Sequence, residues 1–174
     1  QARLAELTAG AVAAVDDVPV EEVAQATACY LRGKALSVGS KYDKDAEQML
    51  SKAVKLDPGN IDAWNVLGEC FWKKGDLVAS RDCYENALAQ AVNADSLCLL
   101  SMLLRQLGST PEEKTANIKM SVEKAKAAVA LNVRDGKSWY ILGNAHLSLF
   151  FTEAHDPTSL KFALTAYSRA VRVG

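Results

Sequence analysis

The sequence predicts an all-α chain, a right-handed superhelical solenoid of antiparallel helix pairs. Two observations predict it. Trp64 is followed by Leu67, Gly68, Phe71, Gly75, Tyr84 and Ala87, and the same signature returns at Trp139 with Leu142, Gly143, Ala163, Tyr167 and Ala170. The approaches to the two tryptophans agree as well: eleven residues separate Ala53 from Trp64, and eleven separate Ala128 from Trp139. A period of about 34 residues is one helical hairpin, which cannot bury its apolar face alone and gains stability by stacking on the next.

Each signature position has a physical reason. Gly68 and Gly143 are small where the two helices of a pair cross, so the backbones approach closely. Trp64 and Trp139 open a helix and fill the space against the neighbouring pair. Ala87, Ala128 and Ala170 let a second helix settle on the next first helix.

Taken in order, residues 1–18 read as a capping helix with Leu4, Leu7, Val12 and Val15 on one face. Pro19 suits the first turn of the helix that follows. About four repeats then fill 19–174: 24–57, 59–93, 94–132 and 137–174. The first has Gly33 at the crossing and Ala46, Leu50 and Ala53 on its second helix; Pro58 stops that helix. The second is the most regular. In the third, strict counting puts Met102 at the crossing; Ser101 is preferred because it is small and leaves Leu97, Leu100 and Leu104 on one face. The turn 108–111 precedes a second helix predicted over 111–131. The fourth begins at Lys137 and has a long inter-helix segment, 150–157. The third and fourth repeats each carry about eight residues beyond the standard spacing between crossing and second helix. The chain starts at Gln1 and stops at Gly174 directly after a helix, so it reads as a fragment cut before further repeats.

Composition narrows the function. The chain has 174 residues, 49% hydrophobic and 24% charged, enough apolar surface for a sizeable core. Its 20 basic and 21 acidic side chains leave a net charge of −1, against the basic excess of a nucleic-acid binder. No apolar run reaches the length of a membrane span. Cys29, Cys70, Cys83 and Cys98 match no zinc or redox spacing and read as small buried hydrophobes in a reducing compartment. His146 occupies an aromatic core position and reads as a satisfied core histidine. No histidine pairs with a carboxylate or cysteine at metal spacing, and no nucleophile, phosphate-loop or dinucleotide motif occurs. Neither an enzyme nor a cofactor is therefore expected. Lys73-Lys74 and Lys124/Lys126 read as solvated faces. Asp16-Asp17 and Glu112-Glu113 read as helix-start charges.

The signature Trp-x2-Leu-Gly-x2-Phe, with its trailing Tyr and Ala, resembles the tetratricopeptide-repeat family. Longer runs narrow the resemblance: 50–56 (Leu-Ser-Lys-Ala-Val-Lys-Leu), 72–76 (Trp-Lys-Lys-Gly-Asp), 100–107 (Leu-Ser-Met-Leu-Leu-Arg-Gln-Leu) and 138–144 (Ser-Trp-Tyr-Ile-Leu-Gly-Asn). They are similar to a branch of that family with the same long third and fourth turns. The resemblance implies recognition of the N-terminal Met-Arg-Glu/Asp peptide of nascent tubulin at the ribosome, for tubulin messenger autoregulation. It also implies a co-activator scaffold in stress-responsive transcription, further repeats and a C-terminal barrel, and residence in cytoplasm and nucleus. No membrane and no sequence-specific nucleic acid are expected as partners.

The non-core positions of each first helix are expected to line the concave face. These are Tyr30 and Lys34; Asp62, Asn65, Glu69, Trp72 and Lys73; Asp95, Cys98, Met102, Arg105 and Gln106; and Lys137, Tyr140, Asn144 and Leu147. Met102 and Trp72 offer apolar walls for a methionine. Asp62, Glu69 and Asp95 could receive a basic side chain. Arg105 offers a planar fork suited to a carboxylate. The residues alone leave Arg105 open between a ligand contact and a solvated or internally paired charge; the resemblance points to the ligand. A co-chaperone groove for acidic chaperone tails is the alternative. It is opposed by Glu69, which stands where such a carboxylate clamp needs asparagine, and by Asp62 and Asp95. A purely structural subunit is the third reading.

Overall fold

Eight α-helices make up the described residues, 22–153 and 155–173, of this computed structural model. They are α1 (Glu22–Leu36), α2 (Lys44–Leu56), α3 (Ile61–Lys74), α4 (Leu77–Gln90), α5 (Ala94–Leu104), α6 (Pro111–Leu131), α7 (Gly136–Thr152) and α8 (Pro157–Val173). No strand occurs among these residues. The predicted helix over 1–18, with Pro19 and the Asp16-Asp17 pair, lies outside them. The chain divides into two compact units between Ala91 and Val92.

The first unit holds α1 to α4. Polar side chains start its helices: Asp43 accepts from the Asp45 and Ala46 amides, Asn60 from Ala63, and Asp76 from Ala79. α2 ends at Leu56, just before Asp57-Pro58. α3 ends at Gly75, whose φ of 87° is the left-handed conformation that lets the Gly75 and Asp76 amides reach back to the Trp72 and Phe71 carbonyls. The core gathers Ala46, Leu50, Ala53, Ala63, Leu67, Cys70 and Cys83. Gly33 faces Leu50 and Gly68 faces Tyr84, at distances where a Cβ would stand 2.6 and 2.4 Å from the opposing side chain. Lys73 and Lys74 are not a free solvated pair. Lys73 Nζ donates to the Ser37 carbonyl at 2.5 Å. Lys74 pairs with Glu47 at 2.8 Å and lies over the Tyr42 and Phe71 rings. Both lie in the last turn of α3 and reach the α1–α2 hairpin from there.

The second unit holds α5 to α8. Here Ser101, fully buried, stands at the crossing and donates its hydroxyl to the Ser121 carbonyl at 2.9 Å. Met102 stays half-buried on the flank. α6 begins at Pro111 in a reciprocal capping box between Thr110 and Glu113, and its 21 residues absorb the extra length of this pair. The fourth pair differs from expectation. Residues 150–152 are helical, the link between α7 and α8 is only 153–156, and the extra residues lengthen both helices to 17. Packing explains this: Lys119 on the α6 extension pairs with Glu153 at 2.6 Å, and His155 packs edge-on to Phe150 and Phe151.

The two units repeat one detail of the tryptophan. Trp64 Nε1 donates to the Pro58 carbonyl at 2.8 Å and Trp139 Nε1 to the Val133 carbonyl at 2.9 Å, six residues back in both cases. Each indole thus locks its first helix to the turn before it. His146 is buried, 7% exposed, with its ring 5.3 Å from that of Phe162. Its Nδ1 finds no partner among the described residues, so it is buried but not satisfied as the sequence suggested.

Candidate functional site

In the first unit, α3 carries Asp62, Asn65, Glu69, Trp72 and Lys73, with Tyr30 and Lys34 from α1. Lys34 donates to the Tyr30 hydroxyl at 2.8 Å, and this bond, aided by Asp62 and Glu69, raises its pKa. Asp62 is exposed, and Glu69, Trp72 and Lys73 are half-buried. Asn65 does not open to solvent: it is 7% exposed and engaged within the fold. Within this unit α3 touches its own second helix α4, the preceding second helix α2 and the preceding first helix α1. It therefore buries a wider stripe than a two-neighbour helix, and Asn65 falls inside that stripe.

In the second unit, α5 is buried almost all round, at Ser96, Leu97, Cys98, Leu100, Ser101, Leu103 and Leu104. Cys98, expected on the open face, is fully buried with Sγ 3.6 Å from Ser138 Oγ, because α7 closes that side of α5. Ser138 is held by the α7 cap, its hydroxyl and amide both donating to Asp135. Asp95 does not wait for a basic ligand: it takes the ammonium of Lys137 at 2.6 Å. Both groups are well exposed, so the pair contributes little to stability but neutralises each acid and base locally.

Arg105 is the first residue past α5, with φ −68° and ψ −12°. It is half-buried, and its Nε has no hydrogen-bond partner among the described residues. Burial lowers its pKa; Tyr167 and Tyr140 oppose that. No carboxylate of the described chain is recorded as its partner. Beside it, Tyr167 from α8 donates its hydroxyl to Asn144 Oδ1 at 2.8 Å, and the Tyr140 and Tyr167 rings lie 6.0 Å apart. Tyr140 is 55% exposed. The second unit thus brings together Arg105, Tyr140 and Asn144 of the expected residues, with Met102 half-buried on α5. It adds Tyr167, which the sequence marked only as a core position. Its signal was present: it follows a crossing glycine, Gly143, whose neighbour Asn144 is polar and close enough to engage a phenol.

Comparisons with known proteins fit this architecture. The sequence profile of the tetratricopeptide repeat matches residues 44–103. Tetratricopeptide repeat protein 5 of Mus musculus is 48% identical over 150 residues, 86% of this chain and 34% of that protein. The Homo sapiens protein of the same name is 49% identical over 144 residues, 82% of this chain and 33% of that protein. The chain is a tetratricopeptide-repeat protein, homologous to tetratricopeptide repeat protein 5. It spans about a third of the length of these curated relatives. Crystal structures of MamA share the fold: one aligns with a TM-score of 0.72 at 18% identity over 98% of this chain and 86% of MamA. Another aligns with a TM-score of 0.70 at 15% identity over 97% and 92%. At such identities the likeness concerns the helix-pair solenoid alone. The tetratricopeptide-repeat architecture makes this chain a scaffold for protein–protein interaction. Among the described residues, no group of three His, Cys, Asp or Glu side chains could hold a metal ion, and no helix is long and apolar enough to cross a membrane.

Proposed function

We propose that this scaffold reads an N-terminal peptide of the form Met-Arg-acidic, as borne by nascent tubulin, and that Arg105 receives the acidic side chain. One observation carries the reading. A guanidinium is half-buried beside two tyrosines with no carboxylate among the described residues to pair with it. Partly desolvating a cation without a counter-charge costs free energy, and an incoming carboxylate returns it through a charge-assisted bidentate bond. The homology to tetratricopeptide repeat protein 5 supports the choice of ligand. Its place of action on this reading is the cytoplasm, at the translating ribosome.

Taken by itself, the first unit argues against an acidic chaperone tail. Its open face carries Asp62 and Glu69, balanced only by Lys34 and Lys73, and Lys73 is already committed to the Ser37 carbonyl. A tail rich in carboxylates would meet like charge there.

The test is titration of a labelled Met-Arg-Glu-Cys peptide into the chain and into Arg105→Glu, beside an acidic chaperone-tail peptide. Saturable binding of the first peptide that weakens at least about tenfold in the variant supports the reading. Binding of the acidic tail in its place would transfer the chain to the co-chaperone class, and silence from both peptides would sink the peptide-reader proposal for this stretch.

A further inference from the structure

We propose that the exposed edge of α2 is a sequence-independent contact for the phosphate backbone of a single-stranded polynucleotide. Lys44, Lys52 and Lys55 make it, and α8 repeats it with Lys161, Arg169 and Arg172. Arg105 takes no part, so the contact stands or falls apart from peptide binding.

α2 buries Ala46, Leu50, Ala53 and Val54 and turns Lys44, Gln48, Lys52 and Lys55 to solvent. At about 100° per residue the three lysines share about 80° of arc, along about 16 Å of helix, with Gln48 among them. Lys41 is exposed just ahead of them. The ammonium groups of these four lysines make no ion pair or hydrogen bond among the described residues. The acids nearby are already used. Asp43 caps the helix, and Asp57 accepts from the Gly59 amide. Glu47 holds Lys74 at 2.8 Å and accepts from the Tyr42 hydroxyl at 2.7 Å. Of the acids in 43–57, only Asp45 is left to face the row. Helix stability does not account for these cations either, because Lys44 opens α2, where the helix dipole disfavours positive charge.

The fold does not impose the row. Gly33 faces Leu50, Gly68 faces Tyr84 and Gly143 faces Tyr167, so the three facing residues correspond. Six residues before Leu50, two after it and five after it stand Lys44, Lys52 and Lys55. At the same counts from Tyr167 stand Lys161, Arg169 and Arg172, all exposed. From Tyr84 the counts lead to Val78, Asn86 and Ala89, exposed as well. One helix pair therefore does without charge at the positions where two others carry three cations each. α8 contains no acid at all. The even net charge of −1 thus conceals two local basic rows.

The chemistry of the α2 row favours phosphate over a protein partner. Protein interfaces are depleted in lysine and hold their partner by buried apolar or aromatic anchors. Between the α2 lysines stands only Gln48. A phosphodiester backbone asks for point charges that approach from any angle, which is what a flexible ammonium supplies. Such contacts read no sequence, and their strength comes from counterion release.

The experiment measures the anisotropy of a labelled oligouridylate titrated with the 174-residue chain, at salt between about 50 and 200 mM. Three ammonium–phosphate contacts on a single strand give a slope of log K against log salt near about −2, a loss of about twentyfold over that range. Lys44→Gln/Lys52→Gln/Lys55→Gln and Lys161→Gln/Arg169→Gln/Arg172→Gln should each halve the oligonucleotide bound at saturation, and together they should abolish binding. Val78→Glu/Asn86→Glu/Ala89→Glu is the control. It changes the net charge by the same amount at the corresponding positions of α4, and should leave affinity within about twofold of the parent chain. Amide resonances of 44–55 and 161–172 should shift in the parent chain as the oligonucleotide is added. Binding retained with both rows neutral, an equal loss in the α4 control, or shifts confined to other helices overturns the proposal. So does tighter binding of an oligoglutamate than of the oligouridylate, which would assign the rows to an acidic protein.

Discussion

Gly68 lies so close to the ring of Tyr84 that a Cβ at position 68 would stand 2.4 Å from Cε1. Tyr84 is fully buried, so its ring has nowhere to withdraw. Alanine would raise helix propensity by about 1 kcal/mol, but the overpacking opposes it with about 1–3 kcal/mol or more. We expect Gly68→Ala to lose about 1–2 kcal/mol net. At Gly143 the opposing Tyr167 is only half-buried, and the cost should be smaller. Urea unfolding of both variants checks the order; equal losses would mean that burial of the facing ring does not matter.

The tryptophans make a second test. Each indole donates to a carbonyl six residues earlier, and each ring is half-buried. Trp139→Phe keeps most of the apolar contact and loses the hydrogen bond, which should cost about 1 kcal/mol. Trp139→Ala also loses the contact area and should cost about 2–3 kcal/mol, less than the full range for a wholly buried aromatic. A denaturant titration in which the two variants are indistinguishable would assign the whole effect to the hydrogen bond.

Much of this was legible in the sequence because it depends on local rules. The small crossing residue, the Asp-Pro stop after Leu56 and the Thr110-Pro111 start of α6 each follow from one or two side chains. What escaped depends on neighbours distant in sequence. Asn65 and Cys98 have the spacing of open-face positions, yet both are buried, and α7 closes over Cys98. Asp95 has the spacing of an acid open to a basic ligand, but Lys137, 42 residues away, already pairs with it. Residues 150–152 have the spacing of an inter-helix segment, yet they are helical, with the Phe150 and Phe151 rings packed edge-on to each other and to His155. Tyr167 was hidden by its own regularity: the repeat pattern gives it a packing role, and only the Asn144 contact reveals a polar one.

His146 gives a pH dependence. Burial pushes its pKa below 6.5, Lys126 pushes in the same direction, and Glu123 opposes them. The folded chain therefore binds that proton less readily than the unfolded chain. Stability contributed by the neutral imidazole is present above about pH 6.5 and is lost as pH falls through the depressed folded value. The lowered carboxylates Glu47, Glu113 and Asp135 titrate from ordinary values of 4.5 and 3.8, so their losses come at lower pH. Thermal unfolding at pH 7.5 and 5.5 should show a drop in Tm for the parent chain that His146→Gln reduces. An identical drop in the variant would place the titrating group elsewhere.

Arg105 should separate stability from binding. A charged side chain that is partly desolvated and unpaired is a cost to the fold, retained only if a ligand uses it. Arg105→Gln removes the charge, which faces Tyr167 and Tyr140 but has no carboxylate partner among the described residues. The variant should be as stable as the parent chain, or more stable by up to about 1 kcal/mol. Binding of an acidic peptide should fall at least about tenfold. Arg105→Lys keeps the charge but not the planar fork, so it should recover only part of the binding. A structural Arg105 would show the reverse pattern, with stability falling in both variants and binding following stability. Unfolding and titration on the same three proteins therefore distinguish a residue held ready for a ligand from one that holds the fold.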